Sequence, residues 1–231
     1  MKKILFTIVF AYSFLSNAQQ IDFVEYDLSN GLHVILHQDN RAPVITTSVL
    51  YHVGSKDEEE NRTGFAHFFE HLLFEGTENI ESGEWFKIVE ANGGSNNAYT
   101  TDDSTYYYEV FPSNKLELSL WMESERMLHP IVGETDRMTL QVGVIKEERN
   151  LRYDNAPYGY LLYAVRSNLY KKHPYGRITI GSDEDLEAAN IDDFVNFNKK
   201  YHKPNNAILV VAGDIRIDET KDLIDKYFSD I

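Results

Sequence analysis

Cysteine is absent from the chain, which excludes disulfides and thiolate metal sites, so any zinc held here must use histidine and carboxylate. Long apolar runs are nearly absent as well. The one at residues 4–15 is too short to span about 30 Å of hydrocarbon, and no lipid-accepting cysteine follows it. Basic residues are scarce: 22 Lys and Arg stand against 37 Asp and Glu, a formal charge of −15. That balance argues against nucleic acid or an anionic membrane as a partner, and it would attract basic stretches of peptide. There is no internal repeat, low-complexity tract or linker.

With 231 residues and 42% hydrophobic content the chain can bury a real core, as one large domain or two small ones. Its first 18 residues read separately. Lys2 and Lys3, the apolar run, and Ser16-Asn17-Ala18 before Gln19 fit a secretory signal peptide. The expectation is an exported domain over residues 19–231, periplasmic or extracellular. Losing Lys2 and Lys3 takes the charge from −15 to −17.

Taken in order, residues 23–28 and 32–38 form a hairpin pattern around Asn30-Gly31, a pair that accepts the positive φ of a tight turn. The second strand sets Leu32, Val34 and Leu36 against His33, Ile35 and His37, which places both histidines on a solvent face with no carboxylate near them in sequence. Residues 44–54 form a third strand with His52 exposed. The run Asp57-Glu58-Glu59-Glu60 reads as a solvated loop leading into a helix that starts near Thr63. Ser82 is expected to cap the next helix, with Trp85, Ile88 and Val89 on its core face. Strands at 95–101 and 104–111 follow, then helices at 113–128 and 135–154, another opened by Pro157, and two near 183–189 and 192–200. A buried strand at 207–212 and an amphipathic helix at 218–229 close the chain.

The chemistry concentrates in Gly64-Phe65-Ala66-His67-Phe68-Phe69-Glu70-His71-Leu72-Leu73-Phe74. On a helix His67, Glu70 and His71 share one face while Phe68, Phe69, Leu72 and Leu73 cover the rest. Two imidazoles one turn apart can hold zinc, and a carboxylate between them can take a proton from water. A third ligand must come from elsewhere. Glu148 lies seven residues, two turns, after Gln141, so both face the same way, while Glu147 points about 100° aside. Spacing alone leaves the choice among these carboxylates open, and the other charges of this helix, Arg152 included, read as a solvated face.

His67-Phe68-Phe69-Glu70-His71 has the H-x-x-E-H order of the inverzincins. Together with Tyr51-His52-Val53-Gly54-Ser55-Lys56-Asp57-Glu58, Gly93-Gly94-Ser95-Asn96-Asn97-Ala98-Tyr99-Thr100 and Val144-Ile145-Lys146-Glu147-Glu148-Arg149, it resembles the pitrilysin, insulin-degrading enzyme and mitochondrial processing peptidase family over residue 22 to the end. The resemblance implies an α+β fold, a mostly antiparallel sheet packed with helices, forming a single half of a two-domain peptidase clamshell. It implies one zinc ion on His67, His71 and Glu148, the glutamate that follows a 76-residue gap after His71 (148 − 71 − 1). The gap varies by a residue among relatives, which keeps Glu147 as an alternative. Glu70 becomes the general base of a zinc metalloendopeptidase, and an extended peptide adds to a sheet edge at Asn97, Ala98 and Tyr99. Gln141 departs from the pattern, since many relatives place there a glutamate that orients the site. The chain stops where the first half should end, so a second homologous domain or subunit is expected to close the chamber. The alternative is a non-catalytic peptide-binding or partner subunit of a two-subunit peptidase.

Overall fold

The computed structural model describes residues 21–128, 130 and 135–231; the expected signal peptide lies outside them. Six strands form one sheet: β1 (Val24–Asp27), β2 (His33–Gln38), β3 (Val44–Tyr51), β4 (Ser95–Thr100), β5 (Thr105–Pro112) and β6 (Ala207–Gly213). Their order is β1-β2-β6-β3-β5-β4, and only the β2–β6 pair is parallel. The α+β expectation holds. Residues of alternating parity drive the layering: Val34, Leu36, Ile45, Val49, Tyr51, Tyr107, Phe111, Leu209 and Val211 are buried, as the period of two along a half-covered strand requires.

Eight α-helices occur among the described residues: α1 (Phe65–Leu72), α2 (Glu84–Ala91), α3 (Leu116–Leu128), α4 (Thr135–Arg149), α5 (Leu161–Leu169), α6 (Asp183–Glu187), α7 (Ile191–Tyr201) and α8 (Ile217–Phe228). The first three pack against the β3–β5–β4 side of the sheet, and α1 also meets α4. None of them is long and apolar enough to cross a membrane.

Several boundaries differ from the sequence expectation for identifiable reasons. Helix α1 begins after Gly64, whose φ of +88° suits a residue without a side chain, and a Cβ there would meet Ile180 O at 2.6 Å. Thr63 is occupied otherwise, bonding the Asp185 carboxylate and accepting the Ser182 N–H. Gly83, not Ser82, precedes α2, and the Ser82 hydroxyl donates to Glu75 at 2.9 Å. Pro157 does not open α5; Tyr158, at φ +61°, intervenes and the helix starts at Leu161. The long helix after Thr135 is α-helical to Arg149 and then widens into a π turn, Asn150–Asp154. His33 does have a carboxylate partner, because the hairpin register sets Asp27 directly opposite, at 2.7 Å.

Candidate metal centre

Helix α1 is held at both ends by buried ionisable side chains. At its start Glu58 accepts the N–H groups of Gly64 and Ala66, one on each carboxylate oxygen and both at 2.9 Å. These are donors that the first turn leaves unpaired; burial pushes the Glu58 pKa up to about 8, opposed by these two hydrogen bonds. The acidic run is therefore not wholly solvated: Glu58 is buried. Just past its last turn, Arg126 donates to Leu73 O at 3.3 Å and Tyr107 to Phe69 O at 3.3 Å. The Arg126 guanidinium is fully buried, ion-paired with Glu123 at 3.2 Å and Glu109 at 3.7 Å, and lies over the rings of Phe74, Trp85 and Tyr107. The ion pairs and the three rings offset the cost of burying this cation.

This rigid helix turns His67, Glu70 and His71 toward α4. Glu148 Oε2 stands 3.2 Å from His71 Nε2 and 3.5 Å from His67 Nε2. Among the described residues these three form the one cluster of at least three histidines and carboxylates placed to hold a metal, their donor atoms all within 4.8 Å of one another. A tetrahedral ion with bonds of 2.0 to 2.1 Å separates its ligand atoms by roughly 3.3 Å, which matches the two histidine–carboxylate distances. The protonation states fit too. Burial, with His71 beside it, lowers the His67 pKa to about 4, which leaves a neutral imidazole. The hydrogen bond from His71 holds Glu148 below the usual carboxylate range. A zinc ion would take the place of the His71 proton in that hydrogen bond, and two imidazole nitrogens with one anionic oxygen are the donor set of catalytic zinc. Glu147 is exposed and takes no part in the group.

Glu70 lies beside these groups without joining them. Burial raises its pKa, opposed by the hydroxyl of Thr100, which donates to Oε2 at 2.5 Å. Thr100 is a participant that sequence reasoning passed over, because only the β4–β5 register and the packing of β4 on α1 bring it there. The cleft, about 560 Å³, has His67, Glu70, His71 and Glu148 on one side and Asn96, Asn97, Ala98, Tyr99 and Thr100 on the other. Strand β4 is the sheet edge. Ala98 and Thr100 lean toward the helices; Asn97 and Tyr99 face outward, with Asn97 Oδ1 accepting the Ala98 N–H at 2.9 Å and Tyr99 against Tyr106. Gln141 also borders the cleft and is buried, but its amide bonds Glu75, not a residue of the histidine cluster.

A cleft that gathers two histidines and a glutamate beside a separate half-buried carboxylate defines the class of metal-dependent hydrolases. The family follows from comparison: residues 33–183 match the insulinase model, peptidase family M16, and residues 188–231 match the peptidase M16 inactive domain. The chain belongs to peptidase family M16. Zinc protease PqqE of Helicobacter pylori is 36% identical over 205 residues, covering 88% of this chain and 46% of that protein. Insulin-degrading enzyme of Bos taurus is 26% identical over 226 residues, 94% of this chain and 22% of that one. A solved protease from Helicobacter pylori superposes with a TM-score of 0.86 at 35% identity, over 91% of this chain and 51% of that one. The periplasmic protease PqqL from Escherichia coli gives 0.83 at 26%, over 93% and 25%. The chain thus spans about half or less of the length of these relatives.

Proposed function

We propose that this chain is the catalytic half of an exported zinc metalloendopeptidase that hydrolyses extended peptides. The observation that carries the reading is the meeting of His67, His71 and Glu148 within ligand distance, with Glu70 alongside and an open strand edge across the cleft. His67 Nε2, His71 Nε2 and Glu148 Oε2 would hold the ion. Zinc, when bound, supplies a Lewis acid for a carbonyl oxygen and makes water acidic enough to give up a proton near neutral pH. Glu70 receives that proton. Thr100 fixes Oε2, which leaves Oε1 to take the proton and pass it to the leaving amine, and burial supplies the basicity the transfer needs.

Substrate pairs with β4 as an added strand, reading main chain first and so tolerating many sequences. The Asn97 side chain occupies the Ala98 N–H in the free chain, so a peptide carbonyl that bonds Ala98 displaces it. The net charge of −15 favours substrates with basic stretches. A second domain of similar size, on this chain or another, supplies the facing wall; the half-length coverage of the solved relative supports this.

Zinc content and cleavage of unstructured peptides by the purified chain, with Glu70→Gln alongside, test the reading. The variant is expected to bind zinc as the parent does and to lose at least about 100-fold in turnover. Equal hydrolysis by both refutes the assigned base. Peptide binding with zinc and no cleavage, even with a second domain added, favours the non-catalytic subunit.

A further inference from the structure

We propose that Arg152 is the positioning residue of Glu148: its guanidinium holds Oε1, so that Oε2 alone faces the two histidines. The inference rests on the metal-site reading above and adds a residue to it. Glu148 Oε2 is the atom near His67 and His71, at 3.5 and 3.2 Å, whereas Oε1 lies 2.9 Å from Arg152 Nη1. The two oxygens of one carboxylate thus have separate partners on opposite sides.

Arg152 follows Glu148 by four residues, about one helical turn, which brings the two side chains onto one face. It belongs to the π turn Asn150–Asp154, and such wider turns concentrate at functional sites. The turn is itself anchored: Tyr153 packs on the Tyr160 ring and Asp154 accepts the Tyr160 hydroxyl. The arginine therefore projects from a held segment, toward the rim of the same cleft.

A carboxylate with both oxygens free can grip an ion through one or both of them. With Oε1 claimed, Glu148 contributes a single atom, and two histidines plus that atom leave a coordination position open, as catalytic zinc requires. One effect opposes this. A guanidinium close to a dication repels it. The Arg152 side chain is 69% exposed, so water and salt screen most of that repulsion, while the directional hold on Oε1 is not screened. The geometry points to positioning as the larger effect.

The test needs no catalytic turnover. The purified chain, Arg152→Leu and Arg152→Lys are stripped of metal, titrated with Zn2+ against a chromophoric chelator, and loaded with Co2+ for visible spectra. The parent is expected to show the intense absorption of four-coordinate Co2+. Arg152→Leu is expected to lose intensity as Glu148 grips through both oxygens, and to bind zinc about 10-fold more weakly. Arg152→Lys, which keeps the charge without the planar fork, restores part of both. Unchanged circular dichroism of the metal-free variants shows that they fold. A parent-like spectrum and affinity in Arg152→Leu, or tighter zinc binding, overturns the proposal alone. Failure of the parent itself to bind either ion overturns the metal-site reading with it.

Discussion

At the scale of single residues, two contacts make different demands on the molecule. The Thr100 hydroxyl orients Glu70 from the strand on which substrate is proposed to lie, so loss of that hydroxyl should affect turnover more than peptide affinity. Thr100→Val is expected to lower kcat about 10-fold with KM nearly unchanged, and Thr100→Ser to recover most of it. A fall in peptide binding with kcat preserved would show that Thr100 serves the substrate instead. His202 serves stability. It is fully enclosed with neither ring nitrogen bonded, stacked on Phe69 and beside Tyr51 and Phe197. Burial lowers its pKa to about 3. Its folded pKa lies below the unfolded value of about 6.5, so the stability it contributes is fully present above pH 6.5 and is lost as pH falls toward 3. Urea melts of the metal-free chain should show His202→Phe gaining on the parent by up to about 1.4 kcal/mol per pH unit below 6.5. Parallel pH profiles would mean that His202 is not buried neutral.

At the scale of elements, the site depends on how α1 and α4 are fixed. Glu58 supplies two of the otherwise unpaired bonds of α1. Glu58→Ala should destabilise the chain by roughly 2 kcal/mol, lowering the melting temperature by about 4–8 °C for a chain of this size. Zinc affinity should fall with it, because His67 sits in the first turn of α1. The helix and its H-x-x-E-H face were legible in the sequence, because spacing on one helix is a local property. Glu148 was legible in part: its two-turn offset from Gln141 gave the face, and the family resemblance chose between it and Glu147. Glu58 and Thr100 were not legible, because each depends on where another element lands: Glu58 on the fold of the loop before Gly64, Thr100 on hairpin register. Arg152, four residues after Glu148, has the spacing of a helical neighbour, but a charge on a long polar helix reads as solvated until the partner is known to be a ligand. The same limit explains Ser82, a good cap by residue type that is drawn instead to Glu75.

At the scale of the whole molecule, the sheet and the metal cleft are separable. The core formed by Val34, Leu36, Val49, Tyr107, Leu209 and Val211 lies within the sheet, whereas the ion would bridge only α1 and α4. Those helices have other ties. Ile145 is buried, Gln141 bonds the Glu75 carboxylate, Arg137 donates to Glu75 O at 3.0 Å, and Arg149 donates to Gly181 O at 3.1 Å. Chelation should therefore loosen the cleft without unfolding the domain. Zinc at 100 times its dissociation constant adds about 2.7 kcal/mol by mass action, and for a chain of this length that corresponds to a melting shift of about 5–10 °C. The expected result of excess chelator is a fall of that size in melting temperature with the far-UV circular dichroism at 25 °C unchanged, reversed by zinc and absent in a His67→Ala, His71→Ala double variant. Collapse of the far-UV signal on chelation would make the ion a structural element of the fold; a melting temperature indifferent to both chelator and zinc would remove the metal centre altogether.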